Sequence, residues 1–318
     1  MCVASILAFA WKMIPMISPC KSLLIAVAIL GSTAALAQPG QPDVCPNDIA
    51  AFTSMQQRAE ANDPASQVAL ASCYDRGLHV QPDGKEAIRL LTQAANLNYA
   101  PAQYELGRIY LYGRGVPADY AKALAWERKA AEQGDPRAQR DLAFMYERGF
   151  GVPADPALAT EWNRKAAAQG QPDAQMHLAI ALDEGAGVSK DPEEARQWYG
   201  KAATQEHPAA QLELARKFAQ APDCVQAIHW YKEAAAHGET AAMYELGKLY
   251  LAGRCSTDRN QAFIWFTIGG RFGSRESKVQ AQRLARALSP AQKKRAQLTV
   301  EQWIEQHPGS ENDEEEKR

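Results

Sequence analysis

The chain has 318 residues, 46% of them hydrophobic and 23% charged, a balance that excludes both a disordered chain and a membrane-embedded one. A formal net charge of −2 excludes the strong basic excess of a bulk nucleic-acid binder. Length alone allows one or two domains, but internal repetition decides the organisation.

In chain order, Lys21 is followed by an unbroken apolar run from Leu23 to Leu30, then by small residues ending in Ala35-Leu36-Ala37. A basic residue, a short apolar core and an A-x-A end predict a secretory signal peptide over 1–37, cleaved after Ala37. The run is too short for a comfortable membrane span. The stretch before Lys21 is itself apolar and holds Trp11, which leaves Met1, Met13 and Met16 open as the start. Cys20 precedes the apolar run, the wrong order for lipidation. Cleavage removes Lys12 and Lys21 and no acid, moving the net charge from −2 to −4. Cys45, Cys73, Cys224 and Cys255 remain, an even set that predicts two disulfides in an exported chain.

Next comes one amphipathic helix within 46–62, closing a 38–62 segment that caps the following array. From residue 63 the chain repeats itself. Leu70, Leu106, Leu142, Leu178 and Leu214 stand 36 residues apart, and Leu246 follows 32 later. Four positions after each stands Tyr74, Tyr110, Tyr146, Leu182, Phe218 or Tyr250. Trp126, Trp162, Trp198, Trp230 and Trp265 share one frame position, which takes five of the chain's seven tryptophans; Leu90 holds it in the first repeat.

Each unit reads as two helices. The first carries A-Q-x-x-L-[GA]-x-x-Y, with Leu and the aromatic on one face. It stops at Gly113/Gly115, Gly149/Gly151 or Gly185/Gly187, since glycine tolerates the left-handed conformation that ends a helix. Asp119, Asp155 and Asp191 are placed to cap the second helix, with Pro156 and Pro192 in its first turn. That helix carries A-x-x-W-x-x-K-A-A and ends at Gly134, Gly170, Gly238 or Gly273, with Asn98 and Glu206 at the same point in two repeats. Gly107, Ala143, Ala179, Ala215 and Gly247 recur where helices must approach closely. A lone helical pair cannot cover its apolar face, so stacking makes the core continuous, with the Trp and the Ala-Ala pair turned to the next unit. The Gly-x-Gly has no preceding strand and reads as a helix stop, not a phosphate cradle.

These residues resemble the Sel1-like repeat family, relatives of the tetratricopeptide repeats. The match covers 63–274 and fits best from Pro101 to Glu206. Repeat one lacks the Trp and the second Gly; repeat five has lost four residues around Ala221-Pro222-Asp223-Cys224; repeat six has Cys255-Ser256 for Gly-Val. The resemblance implies an all-α, right-handed superhelical solenoid of helix-turn-helix repeats with a concave face, serving as an adaptor or regulator through protein contacts, often in the bacterial envelope. Family members often carry intra-repeat disulfides at short spacing, a pattern this chain lacks. Residues 275–307 supply two capping helices, the second entered through Ser289-Pro290-Ala291-Gln292. The tail 308–318 is an acidic charge run, expected to be disordered.

Four constellations bear on function. Cys224 and Cys255 lie in the irregular loops of adjacent repeats, where a disulfide would staple loops lacking their glycines; Cys45 is placed to tie the N-terminal cap to Cys73. His229, Glu233 and His237 share a helix face, but they align with Lys and Gln in other repeats, so a solvated face is expected and no metal or cofactor. No Gly-x-Ser-x-Gly is present, and Ser18-Pro-Cys-Lys21 lies in the leader, so the chain reads as non-enzymatic. A β-lactam- or peptidoglycan-directed hydrolase, a label some Sel1-like proteins have carried, is the alternative.

The fourth is the concave face. With the first helices lining it, as in tetratricopeptide repeats, an inner row lies two before and two after each Leu. It reads Val68/Ser72, Tyr104/Arg108, Arg140/Phe144, Met176/Ile180, Leu212/Arg216 and Tyr244/Lys248. Scaffold positions repeat and these do not; they mix aromatics with Arg and Lys, the composition of binding anchors. Tyr104, Arg108, Arg140, Phe144, Arg216, Tyr244 and Lys248 are therefore the candidate contacts for a protein or peptide partner in the periplasm or outside the cell.

Overall fold

The computed structural model describes residues 44–221, 223–252 and 257–307. The leader over 1–37, Cys255 and the tail over 308–318 lie outside them.

Capping residues set the helix boundaries. Asp83, Asp119, Asp155, Asp191, Asp223 and Asp258 each accept a backbone N–H with the side chain. They open the second helices of six units: α3 (Gly84–Asn96), α5 (Tyr120–Glu132), α7 (Pro156–Ala168), α9 (Pro192–Ala203), α11 (Cys224–Ala236) and α13 (Arg259–Arg271). The first helices are α2 (Pro64–Arg76), α4 (Ala100–Tyr112), α6 (Pro136–Arg148), α8 (Pro172–Glu184), α10 (Pro208–Gln220) and α12 (Thr240–Leu251). Four of them end on Gly77, Gly113, Gly149 or Gly185 in the left-handed conformation. Among the described residues there is no strand. From α2 to α13 each helix packs on the next, which makes the array a solenoid.

The second glycine of the loops after α6 and α8 has a separate cause. A Cβ on Gly151 would stand 2.4 Å from the Tyr120 carbonyl oxygen, and one on Gly187 2.3 Å from the Pro156 backbone. The loop thus rests on the first turn of the preceding unit's second helix. In repeat one there is no preceding unit of that kind, and His79 takes the position with φ 63°. Its ring lies 5.1 Å from Phe52, and its Nε2 is 2.8 Å from the Pro46 carbonyl.

Small residues recur at fixed positions of the core. Ala94/Ala95, Ala130/Ala131, Ala166/Ala167, Ala202/Ala203 and Ala234/Ala235 are buried. The tryptophan of each regular unit is only half-buried, and the lysine three residues on covers its outer face: Lys129, Lys165 and Lys201 lie 4.2, 3.8 and 3.5 Å from the ring centres of Trp126, Trp162 and Trp198. The repeated W-x-x-K is thus a helix-surface cation–π pair.

A polar ladder runs beside this core. Gln67, Gln103, Gln139, Gln175 and Gln211 each donate from Nε2 to the carbonyl of an alanine eight residues earlier, at 3.1–3.3 Å. Those alanines lie in the last turn of the preceding helix, or just before it ends, where carbonyls lack intrahelical donors. In repeats two to four the ladder is closed: Gln133, Gln169 and Gln205 donate to the Oε1 of Gln103, Gln139 and Gln175 at 2.6, 2.8 and 2.8 Å. Leu97 and His237 occupy the donor position in repeats one and five, and there Gln67 Oε1 and Gln211 Oε1 have no partner.

The ends are closed by other means. α1 (Ile49–Glu60) buries Phe52, Met55 and Ala59 against α2. The segment leading into it is tied down by a Cys45–Cys73 disulfide with S–S 2.04 Å. At the far end α14 (Arg275–Ala285) packs so closely on α13 that a Cβ on Gly269 would meet Ser277 Oγ at 2.7 Å. Gly269-Gly270 therefore stands where other units have Ala-Ala. α15 (Pro290–Gln306) starts with a complete Ser289/Gln292 capping box and sets Trp303 edge-on to Trp265 and Phe272. No helix among the described residues is long and apolar enough to cross a membrane.

Candidate functional site

The inner row splits into two columns. Two before each Leu, Val68, Tyr104, Met176 and Leu212 are buried, and Tyr104 is only 3% exposed. Its ring joins the core of α5 and α6 and is covered by Arg137, whose guanidinium lies 4.3 Å from the ring centre; burial pushes the phenol up to about 12. Tyr104 is thus a packing residue rather than an exposed anchor, because consecutive first helices close over that column. In the same column, Arg140 and Tyr244 stay half-buried. Two after each Leu, Arg108, Phe144, Ile180 and Arg216 are half-buried and Lys248 is exposed. This second column is the accessible one.

Its charges are not equivalent. Arg216 is ion-paired with Glu213, and Lys248 lies 2.8 Å from Glu245. Arg140, in the first column, pairs with Asp141 at 3.1 Å and faces Asp173 at 3.7 Å. Phe144 is edge-on to Phe150, with Arg148 5.7 Å over its ring. Tyr244 tilts against Phe266 at 5.6 Å. Arg108 differs: its guanidinium lies between the rings of Tyr104 and Tyr112, at 5.6 and 5.8 Å, and forms no ion pair among the described residues.

Arg108 opens into a cavity of about 490 Å³ formed by α2, α3, α4 and the following loop. Val44, Val68, Ile88, Leu91 and Ile109 line its apolar part. Arg76, Arg114 and Arg137 join Arg108 on its polar side, with Asp75 and Glu105. The disulfide next to Val44 holds that wall on α2.

Beneath this site lies a residue that motif reading does not single out. The position after each Trp is buried throughout the array and reads Leu91, Glu127, Asn163, Tyr199, Tyr231 and Phe266. Glu127 is fully buried, and neither carboxylate oxygen has a hydrogen-bond partner. It fits only because Gly107 faces it; a Cβ there would stand 2.4 Å from Glu127 Oε1. Burial, with Asp141, Asp135 and Glu105 nearby, raises its pKa well above the usual carboxylate range, and Arg108 only partly offsets this. Asp141, with one unpartnered oxygen, is also raised by burial. A single charged residue in a column otherwise apolar, aromatic or amide was the available signal.

The remaining candidates stay apart from this site. Cys224 is disulfide-bonded, while Cys255 lies outside the described residues. His229 Nδ1 lies 3.9 Å from Glu233, both half exposed. Among the described residues, no three His, Cys, Asp or Glu come together as a metal site would need.

Paired helices in register, lids at both ends and a non-repeating column on the first helices define a helical-repeat solenoid of the tetratricopeptide type. The chain belongs to the Sel1 repeat family, whose model matches residues 64–99, 100–135, 136–171, 172–207, 208–239 and 240–270. Among solved structures it is similar to a protective antigen of uropathogenic Escherichia coli displaying an SLR fold, with 31% identity and a TM-score of 0.70 over 79% of this chain and 56% of that one. It is also similar to a Sel1 repeat protein from Oxalobacter formigenes, with 34% identity and a TM-score of 0.60 over 69% of this chain and 92% of that one. The chain thus spans little more than half the length of the first of these. No curated protein matches it. Proteins built of Sel1 repeats typically serve as protein-interaction scaffolds.

Proposed function

We propose that the chain is an exported adaptor that binds an extended segment of a partner protein in the cell envelope, along the first helices of the array. The observation that carries this reading is the accessible column Arg108, Phe144, Ile180, Arg216 and Lys248, which changes at every unit while the scaffold around it repeats. Variation confined to one accessible column gives a surface that differs along its length, as recognition of a sequence requires. The A-x-A leader over 1–37 and the disulfides of Cys45–Cys73 and Cys224 support export to an oxidising compartment. No observation favours the hydrolase alternative, and purified mature protein should turn over no nitrocefin above a heat-killed control.

The test places a photo-crosslinking amino acid at position 144 or 180, and as a control at 196 on the outer surface of α9. In envelope extracts, 144 and 180 should capture the same partner and 196 should not. Substituting both Phe144→Ala and Arg216→Ala should weaken capture about tenfold or more, as loss of an anchor does, with helical circular dichroism unchanged. Equal capture from position 196, or none from 144 and 180, overturns the proposal.

A further inference from the structure

The cavity at the N-terminal end of the groove carries charge that its walls do not answer. Four arginines and two carboxylates line it, in a chain whose overall charge is −2. Arg137 is held by Asp135 at 2.9 Å. Arg76, Arg108 and Arg114 form no ion pair among the described residues, and the Arg114 guanidinium lies 5.6 Å from the Tyr112 ring centre. Glu105 stands three residues before Arg108, as Glu213 stands before Arg216 and Glu245 before Lys248, yet only the latter two close into ion pairs. The Arg108 guanidinium lies instead over the Tyr104 and Tyr112 rings and lines the cavity.

We propose that this cavity binds an acidic, extended segment of the partner, through side-chain carboxylates to Arg76, Arg108 and Arg114 and aliphatic side chains against Val68, Ile88 and Ile109. The inference rests on the groove reading above and names the chemistry of the partner at that end. Guanidinium is the group that takes carboxylate in two parallel hydrogen bonds. The three free arginines come from the end of α2, the middle of α4 and the loop beyond it, so one carboxylate cannot serve them all. That spacing selects a run of Asp or Glu over a single chain terminus. A volume of about 490 Å³ lies in the range of pre-formed ligand sites and leaves room for side chains of a few residues. Part of the site is built in advance: Arg108 already lies over two tyrosine rings, and the Cys45–Cys73 bond ties the residue next to Val44 to α2.

The test uses the mature chain and three fluorescent peptides, N-acetylated and C-amidated, of alternating Leu with Glu, Gln or Lys, read by anisotropy. The Leu/Glu peptide should bind about tenfold or more tighter than Leu/Gln, weaken as salt is raised, and leave Leu/Lys unbound. Arg108→Gln should bring Leu/Glu to the level of Leu/Gln. Arg114→Gln, on an exposed loop and free of folding consequences, should move affinity the same way. Equal, salt-insensitive binding of Leu/Glu and Leu/Gln overturns the proposal, as does binding that requires a free C-terminal carboxylate. No binding of Leu/Glu overturns it too; if positions 144 and 180 still crosslink a partner, the groove reading survives, and if they do not, both fall.

Discussion

Repeats two to four and the two ends of the array solve the same packing problem with different chemistry. In the middle units the glutamine ladder is closed, every loop glycine is present, and a lysine lies over each tryptophan. At the ends a disulfide, a ring on His79 and an aromatic cluster around Trp303 replace those devices. The difference teaches that the repeat signature is an interface code. The ladder glutamines and the glycines at 151 and 187 serve a neighbouring unit, and where the matching donor is missing the glutamine oxygen is orphaned.

The loop glycines carry the largest expected effect. Gly187→Ala should destabilise the protein by about 1–3 kcal/mol from the left-handed backbone alone, with the clash on Pro156 added. Gly115 has the same conformation, but a Cβ there would meet nothing within 4 Å, so Gly115→Asn should cost a fraction of that. Thermal melts of the two variants check the contrast, and equal losses would refute the role given to the preceding unit.

The glutamine ladder gives a graded version. Gln139→Leu removes two hydrogen bonds, the one Gln139 donates to the Ala131 carbonyl and the one it accepts from the Gln169 amide, and should cost about 1–3 kcal/mol. Gln67→Leu removes one donor and one acceptor that is already unpaired, so it should cost clearly less. Leu97→Gln should extend the ladder into repeat one and add about 0.5–1.5 kcal/mol. Denaturant midpoints for the three decide whether a closed ladder is worth more than an open one.

Glu127 is the opposite case, a flaw inside a regular unit. Its carboxyl is raised above 4.5 in the folded chain by burial first, then by Asp141, Asp135 and Glu105. The folded state therefore holds the proton more tightly than the unfolded one. Stability is greatest below the unfolded value and is lost as pH rises through the folded one. Glu127→Leu, which places here the residue repeat one has at Leu91, should raise stability at neutral pH by about 1–3 kcal/mol. The gain should shrink as pH falls toward 4.5. Melting curves across that range check it; a gain that does not vary with pH would mean the carboxyl has the same pKa folded and unfolded, so that burial does not raise it.

The array is legible in the amino-acid pattern alone. The period, the Asp caps, the glycine stops and the lids of 46–62 and 275–307 are local or periodic signals, each readable because helix ends and small residues obey short-range sterics. Asn98 and Glu206, read as stand-ins for glycine, do adopt left-handed φ of 62° and 61°. Only the tertiary structure decided which side of the inner row is open. Tyr104 and Arg108 are one turn apart on one face, yet the approach of the next first helix buries the ring under Arg137 and leaves the guanidinium facing a cavity. Burial, ion pairing and the isolation of Glu127 all depend on atoms contributed by another unit. A repeat pattern states that a neighbour exists, but not which of its side chains come within reach.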